Sequence, residues 1–166
     1  MKFRRYSIKS RESKRLLLEV SKRLDFDFES LVSSKPKIEI VEVDDRKIFL
    51  IDGKPLFFKT SDLVIPTLLF EKFLLNLPKV TVDMGAVPYV CKGANVMVPG
   101  IVKLDGEFRK DELVLIVDEK HTKSLALGQS LYSSNVIRTM KKGIVVKSLH
   151  FVSDTIWNTA KKLIEK

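Results

Sequence analysis

The chain has 166 residues, with 30 Lys+Arg against 21 Asp+Glu, a net charge of +9 and a single cysteine, Cys91. A chain of this length buries about 70% of its unfolded surface, so it needs no disulfide or metal to hold a core, and one cysteine excludes a disulfide framework within the chain. No stretch reaches the roughly 18 to 20 uncharged apolar residues of a membrane span. Arg11, Glu12, Lys14 and Arg15 stand where a secretory signal requires an apolar run, so the expectation is a cytoplasmic protein without a membrane partner.

Positive charge favours polyanionic partners, because phosphates release counterions when lysine and arginine approach them. Residues 1–23 carry nine basic side chains against Glu12 and Glu19, and residues 138–166 carry seven against Asp154 and Glu165. Both ends suit a nucleic acid, and both equally suit solvated surface helices.

In chain order, residues 12–24 read as an amphipathic helix, with Leu16, Leu17, Val20 and Leu24 at helical spacing and Ser10 as N-cap. Ile38-Glu39-Ile40-Val41-Glu42-Val43 alternates as a half-buried strand does. Lys47–Ile51, Asp52-Gly53 and Leu56–Phe58 predict a hairpin, since a type I′ turn needs positive φ at both central positions. Pro66 fits the first turn of a helix running to about Leu75, and Asn76 and Pro78 end it. These elements make an N-terminal α/β domain over residues 1–77.

Residues 78–166 form the second domain and change character. Short strands are expected at Val80–Val82, Asn95–Val98, Leu113–Val117, Ser124–Leu127 and Ile144–Ser148, separated by turn signals such as Pro99-Gly100 and Asp105-Gly106. Many short strands in so few residues read as a small barrel. Ala86–Lys92 and Ser133–Lys141 look like short helices. A last helix, capped by Ser153 or Asp154, carries Ile156, Trp157, Ala160 and Leu163 on its apolar side.

Catalysis requires a nucleophile with a base, a carboxylate pair or a metal cluster, and none is legible. His121 and His150 lack neighbours at zinc-ligand spacing, Cys91 reads as a small buried hydrophobe, and the acidic pairs, such as Asp118-Glu119, fall in turns that read as solvated. No phosphate-binding glycine motif is present. No catalytic residue, metal or cofactor is predicted, and the chain is not expected to be an enzyme.

Residues 83–100 stand apart. Gly85, Gly93 and Gly100 bracket one short helix and one strand. Gly85 would let a phosphate reach the free N–H groups of a helix N-terminus, Lys92 adds a cation, and Tyr89 offers a ring for base stacking. Plain architecture explains the same residues as well: Gly85 starts a helix, Gly93 ends it and Tyr89 packs.

At Gly85-Ala86, Gly93-Ala94-Asn95 and Val98-Pro99-Gly100 the chain resembles the opening of a PUA domain, an RNA-binding module. The likeness continues through Val114–Val117, Ala126-Leu127-Gly128 and Lys142-Gly143-Ile144. Leu149-His150-Phe151 and Asp154-Thr155-Ile156-Trp157 are similar to the C-terminus of the malignant T-cell-amplified-sequence family. Ile51-Asp52-Gly53-Lys54-Pro55-Leu56-Phe57-Phe58 with Ile65-Pro66-Thr67-Leu68 resembles that family's pre-PUA domain, in the short form of its stand-alone archaeal members. The resemblance implies an α+β protein, with an N-terminal α/β pre-PUA domain and a C-terminal PUA β-pseudobarrel with short helices.

The resemblance also implies an RNA-binding protein of the translation machinery, acting in initiation, reinitiation or recycling. Its partners would be the acceptor end of tRNA or ribosomal RNA, the small ribosomal subunit, and a density-regulated-protein-like partner. The implied RNA-facing residues are Gly85, Ala86, Tyr89, Lys92, Gly93 and Asn95, with Pro99 and Gly100 shaping the wall and Lys142 and Lys147 as phosphate contacts. Asp154 reads as a cap, Trp157 as an apolar anchor, and His150 as packed between strand and helix. Two other readings stand beside this one: a protein-interaction adaptor docking through the Lys47–Phe58 hairpin or its neighbouring helix, and an RNA-binding accessory subunit of an RNA-modification complex.

Overall fold

A computed structural model describes residues Phe3–Glu165. The chain divides into two compact units, one reaching to Phe73 and taking in the residues from Thr159, the other covering Leu74–Asn158. The first unit ends at Phe73, four residues before Leu77, and takes in the end of the last helix.

The first unit is a five-stranded antiparallel meander in the order β1-β2-β3-β4-β5: β1 (Arg4–Ser7), β2 (Ile38–Val43), β3 (Arg46–Ile51), β4 (Lys54–Thr60) and β5 (Leu63–Pro66). Helix α1 (Ser10–Leu24) begins one residue after Lys9, which occupies the N-cap without a side-chain bond, so Ser10 is the first helical residue rather than the cap. At its end Asp25 adopts φ 49°. The Asp52-Gly53 turn has φ values of 50° and 83°, the type I′ sign pattern its sequence predicts.

The sequence contains no strand signal at β1, whose residues are mostly charged or polar. Pairing with β2 explains it: the Arg5 guanidinium donates to the Glu39 carboxylate at 2.7 and 3.1 Å, and the Tyr6 hydroxyl donates to Glu42 at 2.9 Å. Glu39 is thereby buried and its carboxyl held below the ordinary range by the Arg5 hydrogen bond. β2 is therefore almost wholly buried rather than half-buried.

The helix expected from Pro66 to Leu75 does not form. Leu63–Pro66 pairs with β4 as an edge strand, where a residue lacking N–H costs no ladder bond, and Thr67 locks the turn by donating from its hydroxyl to the Pro55 carbonyl at 2.7 Å. Only α2 (Glu71–Leu74) is helical. Phe57 and Phe58 are both buried. Phe57 stacks on Phe49 at 4.9 Å and meets Phe28 edge-on at 6.0 Å, so these rings build core rather than an exposed face.

The second unit is a six-stranded sheet in the order β7-β11-β10-β9-β6-β8, curled into a pseudobarrel. Its strands are β6 (Lys79–Val82), β7 (Val96–Met97), β8 (Ile101–Asp105), β9 (Leu113–Asp118), β10 (Ser124–Ser130) and β11 (Ile144–Phe151). β6 and β9 run parallel and the other pairs antiparallel. β8 lies between two turn signals that hid it. Val80, Val114, Ile116, Ala126 and Val146 form the centre of the core. On Gly128 a Cβ would lie 2.3 Å from Val146 and 3.0 Å from the Lys147 carbonyl oxygen, so β10 and β11 approach closely only because this residue has no side chain. Helices α3 (Val87–Val90), α4 (Ser134–Thr139, capped by the Ser133 hydroxyl) and α5 (Thr155–Ile164) complete the chain.

Candidate nucleic-acid interface

Residues 83–100 close into a loop on the pseudobarrel. The Asp83 amide donates to the Gly100 carbonyl at 2.9 Å, and buried Val90 anchors α3 to the core. Gly93 ends α3 at φ 92°, and a Cβ there would strike the Phe151 ring at 2.8 Å. The chain then enters β7, where Val96 pairs with Val146 and Met97 with Ile144. Alternation sends Val96 into the core and Met97 to the surface. Gly100 approaches Ala86, whose Cβ lies 3.3 Å from the Cβ position the glycine leaves empty.

The result is an open groove of about 510 Å³ between α3 and the β7 segment. Of the residues predicted from the sequence, Gly85, Ala86, Tyr89, Asn95, Pro99 and Gly100 line it. The Tyr89 side of the groove faces solvent, the residue being 67% exposed, and Met97 is 53% exposed. Tyr89 therefore does not pack into the core. Asn95 has a structural duty as well: its Oδ1 accepts from the Ser148 amide at 2.9 Å, which ties the groove wall to β11.

Lys92, Gly93, Lys142 and Lys147 do not line the cavity. Gly93 is a steric requirement of the turn. The three lysines are exposed and make no ion pair among the described residues. Backbone pairing brings two of them to the groove's margin. Gly143, next to Lys142, accepts from the Val98 amide at 3.0 Å, and Lys147 lies between Val146, paired with Val96, and Ser148, bonded to Asn95.

Two of the amides leading into α3 are taken by carboxylates. The Ala86 amide donates to the Asp83 carboxylate at 2.8 Å, and the Met84 amide faces Glu119 Oε1 at 3.3 Å. A carboxylate at this position repels phosphate. Asp83 and Met97 line the groove and were not singled out in the sequence. The signals were there: Asp83 stands three residues before Ala86, at capping distance, and Met97 lies on the outward phase of its strand.

Elsewhere in the second unit Asp118 and the pair His150 and Asp154 hold structure. Asp118 is not solvated as an acidic turn residue would be. It is 4% exposed and accepts from the amides of His121, Lys120 and Lys123 at 2.6 to 2.9 Å, with the His121 bond foremost in holding its carboxyl below the usual range. His121 itself is exposed. His150 is fully buried, with Nδ1 2.7 Å from Asp154 Oδ2. Cys91 is half-buried against the core, and burial raises its thiol pKa. Among the described residues no cluster of three metal-ligating side chains occurs.

Residues 78–152 match the PUA domain family, and residues 4–72 match the Domain of unknown function (DUF1947). An uncharacterized protein of Methanocaldococcus jannaschii is 39% identical over 150 residues, covering 88% of this chain and 93% of its own. Translation machinery-associated protein 20 of Saccharomyces cerevisiae is 30% identical over 156 residues, covering 89% and 86%. Malignant T-cell-amplified sequence 1-A of Xenopus laevis is 30% identical over 134 residues, covering 77% and 74%. With both domains matched in order and its relatives aligned over most of their length, the chain belongs to the malignant T-cell-amplified-sequence family of pre-PUA and PUA proteins.

Proposed function

We propose that this is a non-catalytic RNA-binding protein of the translation machinery, and that its PUA groove holds an unpaired RNA end. The observation that carries the reading is the solvent-facing Tyr89 ring on a wall of glycine, alanine and proline, with unpaired lysines at the margin. A groove of this kind stacks an unpaired base on the ring while lysines neutralise the flanking phosphates. A duplex would not expose its base faces to Tyr89, which favours a single-stranded terminus such as the acceptor end of tRNA. The name of the yeast relative, Translation machinery-associated protein 20, supports a place in translation, and the small ribosomal subunit is the larger partner of this reading. Docking of a partner through Phe57 and Phe58 of the hairpin is disfavoured, because both rings are buried.

Charge reversal tests the role of the lysines. A combined Lys92→Glu, Lys142→Glu and Lys147→Glu variant is expected to bind a short single-stranded RNA more weakly. Its plot of log affinity against log salt should be shallower by about 2, from about 0.7 per phosphate contact on single strands. Fluorescence anisotropy over a salt series measures this, and an unchanged slope would remove the lysines from the site.

A further inference from the structure

The first unit carries a charged surface that the groove does not explain. In α1, successive residues turn by about 100°. Ser13, Val20 and Leu24 fall together on the buried side. Arg11, Lys14, Arg15, Leu18 and Lys22 fall within an arc of about 100° on the opposite side, and all five are exposed. The four cations make no ion pair among the described residues. The two acids of the helix lie off this arc. One of them, Glu19, is engaged by Lys59 at 3.0 Å and by Arg23 at 3.4 Å. At 1.5 Å per residue the row from Arg11 to Lys22 is about 16 Å long.

We propose that the solvent face of α1 is a second nucleic-acid contact, binding the phosphate backbone of duplex RNA without reading its bases. A row of like charges one helical turn apart is unfavourable for an isolated helix, and a line of phosphates relieves it. α1 has no aromatic residue, so nothing on it can stack an unpaired base, and the occupant is paired RNA seen from its backbone. An acidic peptide would need an apolar anchor, and Leu18 alone is a poor one. An anionic bilayer is not the occupant, because the helix's apolar side is already used by the core and none is left to insert. This contact uses different residues and a different form of RNA from the groove, and stands independently of it.

The test uses the full chain and two probes, a blunt RNA duplex of about 16 base pairs, the length a shape-reading domain spans, and a short single-stranded RNA. A combined Arg11→Glu, Lys14→Glu, Arg15→Glu and Lys22→Glu variant is expected to lose duplex affinity by roughly tenfold or more. Its salt slope should be shallower by about 3.6, from about 0.9 for each of four phosphate contacts, with single-strand binding retained. The quadruple alanine variant, which keeps helix propensity, should show the same direction with a smaller loss, and circular dichroism confirms the helix in both. Absence of duplex binding by the unmodified protein, an unchanged duplex slope in the variants, or an equal loss on both probes overturns the proposal. The groove reading fails separately, through unchanged single-strand binding in the Lys92, Lys142 and Lys147 variant.

Discussion

Replacing Asp154 with alanine is expected to destabilise the protein by about 3 kcal/mol, a large share of a small domain's stability. The carboxylate does three jobs in one place. Oδ1 accepts from the Trp157 amide at 2.7 Å, capping α5, while Oδ2 accepts from the Phe151 amide at 3.0 Å and lies 2.7 Å from His150 Nδ1. Removing it deprives a helix of its cap, worth about 1 kcal/mol, and leaves a fully buried imidazole without this partner. Asp154→Asn keeps an acceptor for the cap and should cost less. Trp157, the single tryptophan, reports urea unfolding of this region by fluorescence.

The same group sets an acid limit on stability. Burial pushes the Asp154 carboxyl up, but the His150 hydrogen bond and charge, with the Trp157 and Phe151 amides, outweigh it, so its pKa lies below the ordinary value of 3.8. A carboxyl with a lowered folded pKa contributes its stabilisation fully above the unfolded value. That contribution disappears as pH falls through the folded one. The unmodified protein should therefore lose stability below about pH 4, and the Asp154→Ala variant should lack this component of the decline.

Tyr89→Ala is expected to weaken single-stranded RNA binding by about 1–3 kcal/mol, roughly five- to 150-fold, which is the worth of one base stacked on an aromatic ring. Because Tyr89 is 67% exposed, its removal should leave folding stability within about 0.5 kcal/mol. Tyr89→Phe should bind normally, since stacking needs the ring and not the hydroxyl. The salt slope should not change in either variant, in contrast to the lysine reversals, since the ring contacts no phosphate. Isothermal titration calorimetry with one short RNA across these variants separates stacking from charge.

Local chemistry made much of the fold legible. Asp52-Gly53 marked its hairpin because only certain residues adopt positive φ, Ser133 marked the start of α4, and the apolar spacing of residues 12–24 marked α1. Legibility failed where pairing across the sheet overrode local preference. Arg4–Ser7 is a strand because Glu39 and Glu42 await it, thirty-odd residues away. Leu63–Pro66 is a strand because β4 needs an edge partner, although Pro66 reads equally well as a helix start. In the groove, residues bracketed by glycines were visible, since Gly93 and Gly100 are fixed by close approach. Asp83 was passed over although its spacing before Ala86 is that of a cap, because a carboxylate whose work is to cap a single turn resembles any acidic turn residue. Lys142 and Lys147 reach the margin only through the register of β7 on β11, which no local pattern specifies.

NMR decides whether an unpaired RNA end lies in the groove between α3 and β7. A short single-stranded RNA is titrated into isotope-labelled protein and the backbone amide shifts are followed. Saturable shifts are expected at Gly85–Gly100, with further changes near Lys142 and Lys147 and protection of the Tyr89 ring. Shifts confined to other surfaces, or a groove that stays unperturbed while RNA binds, would contradict that placement.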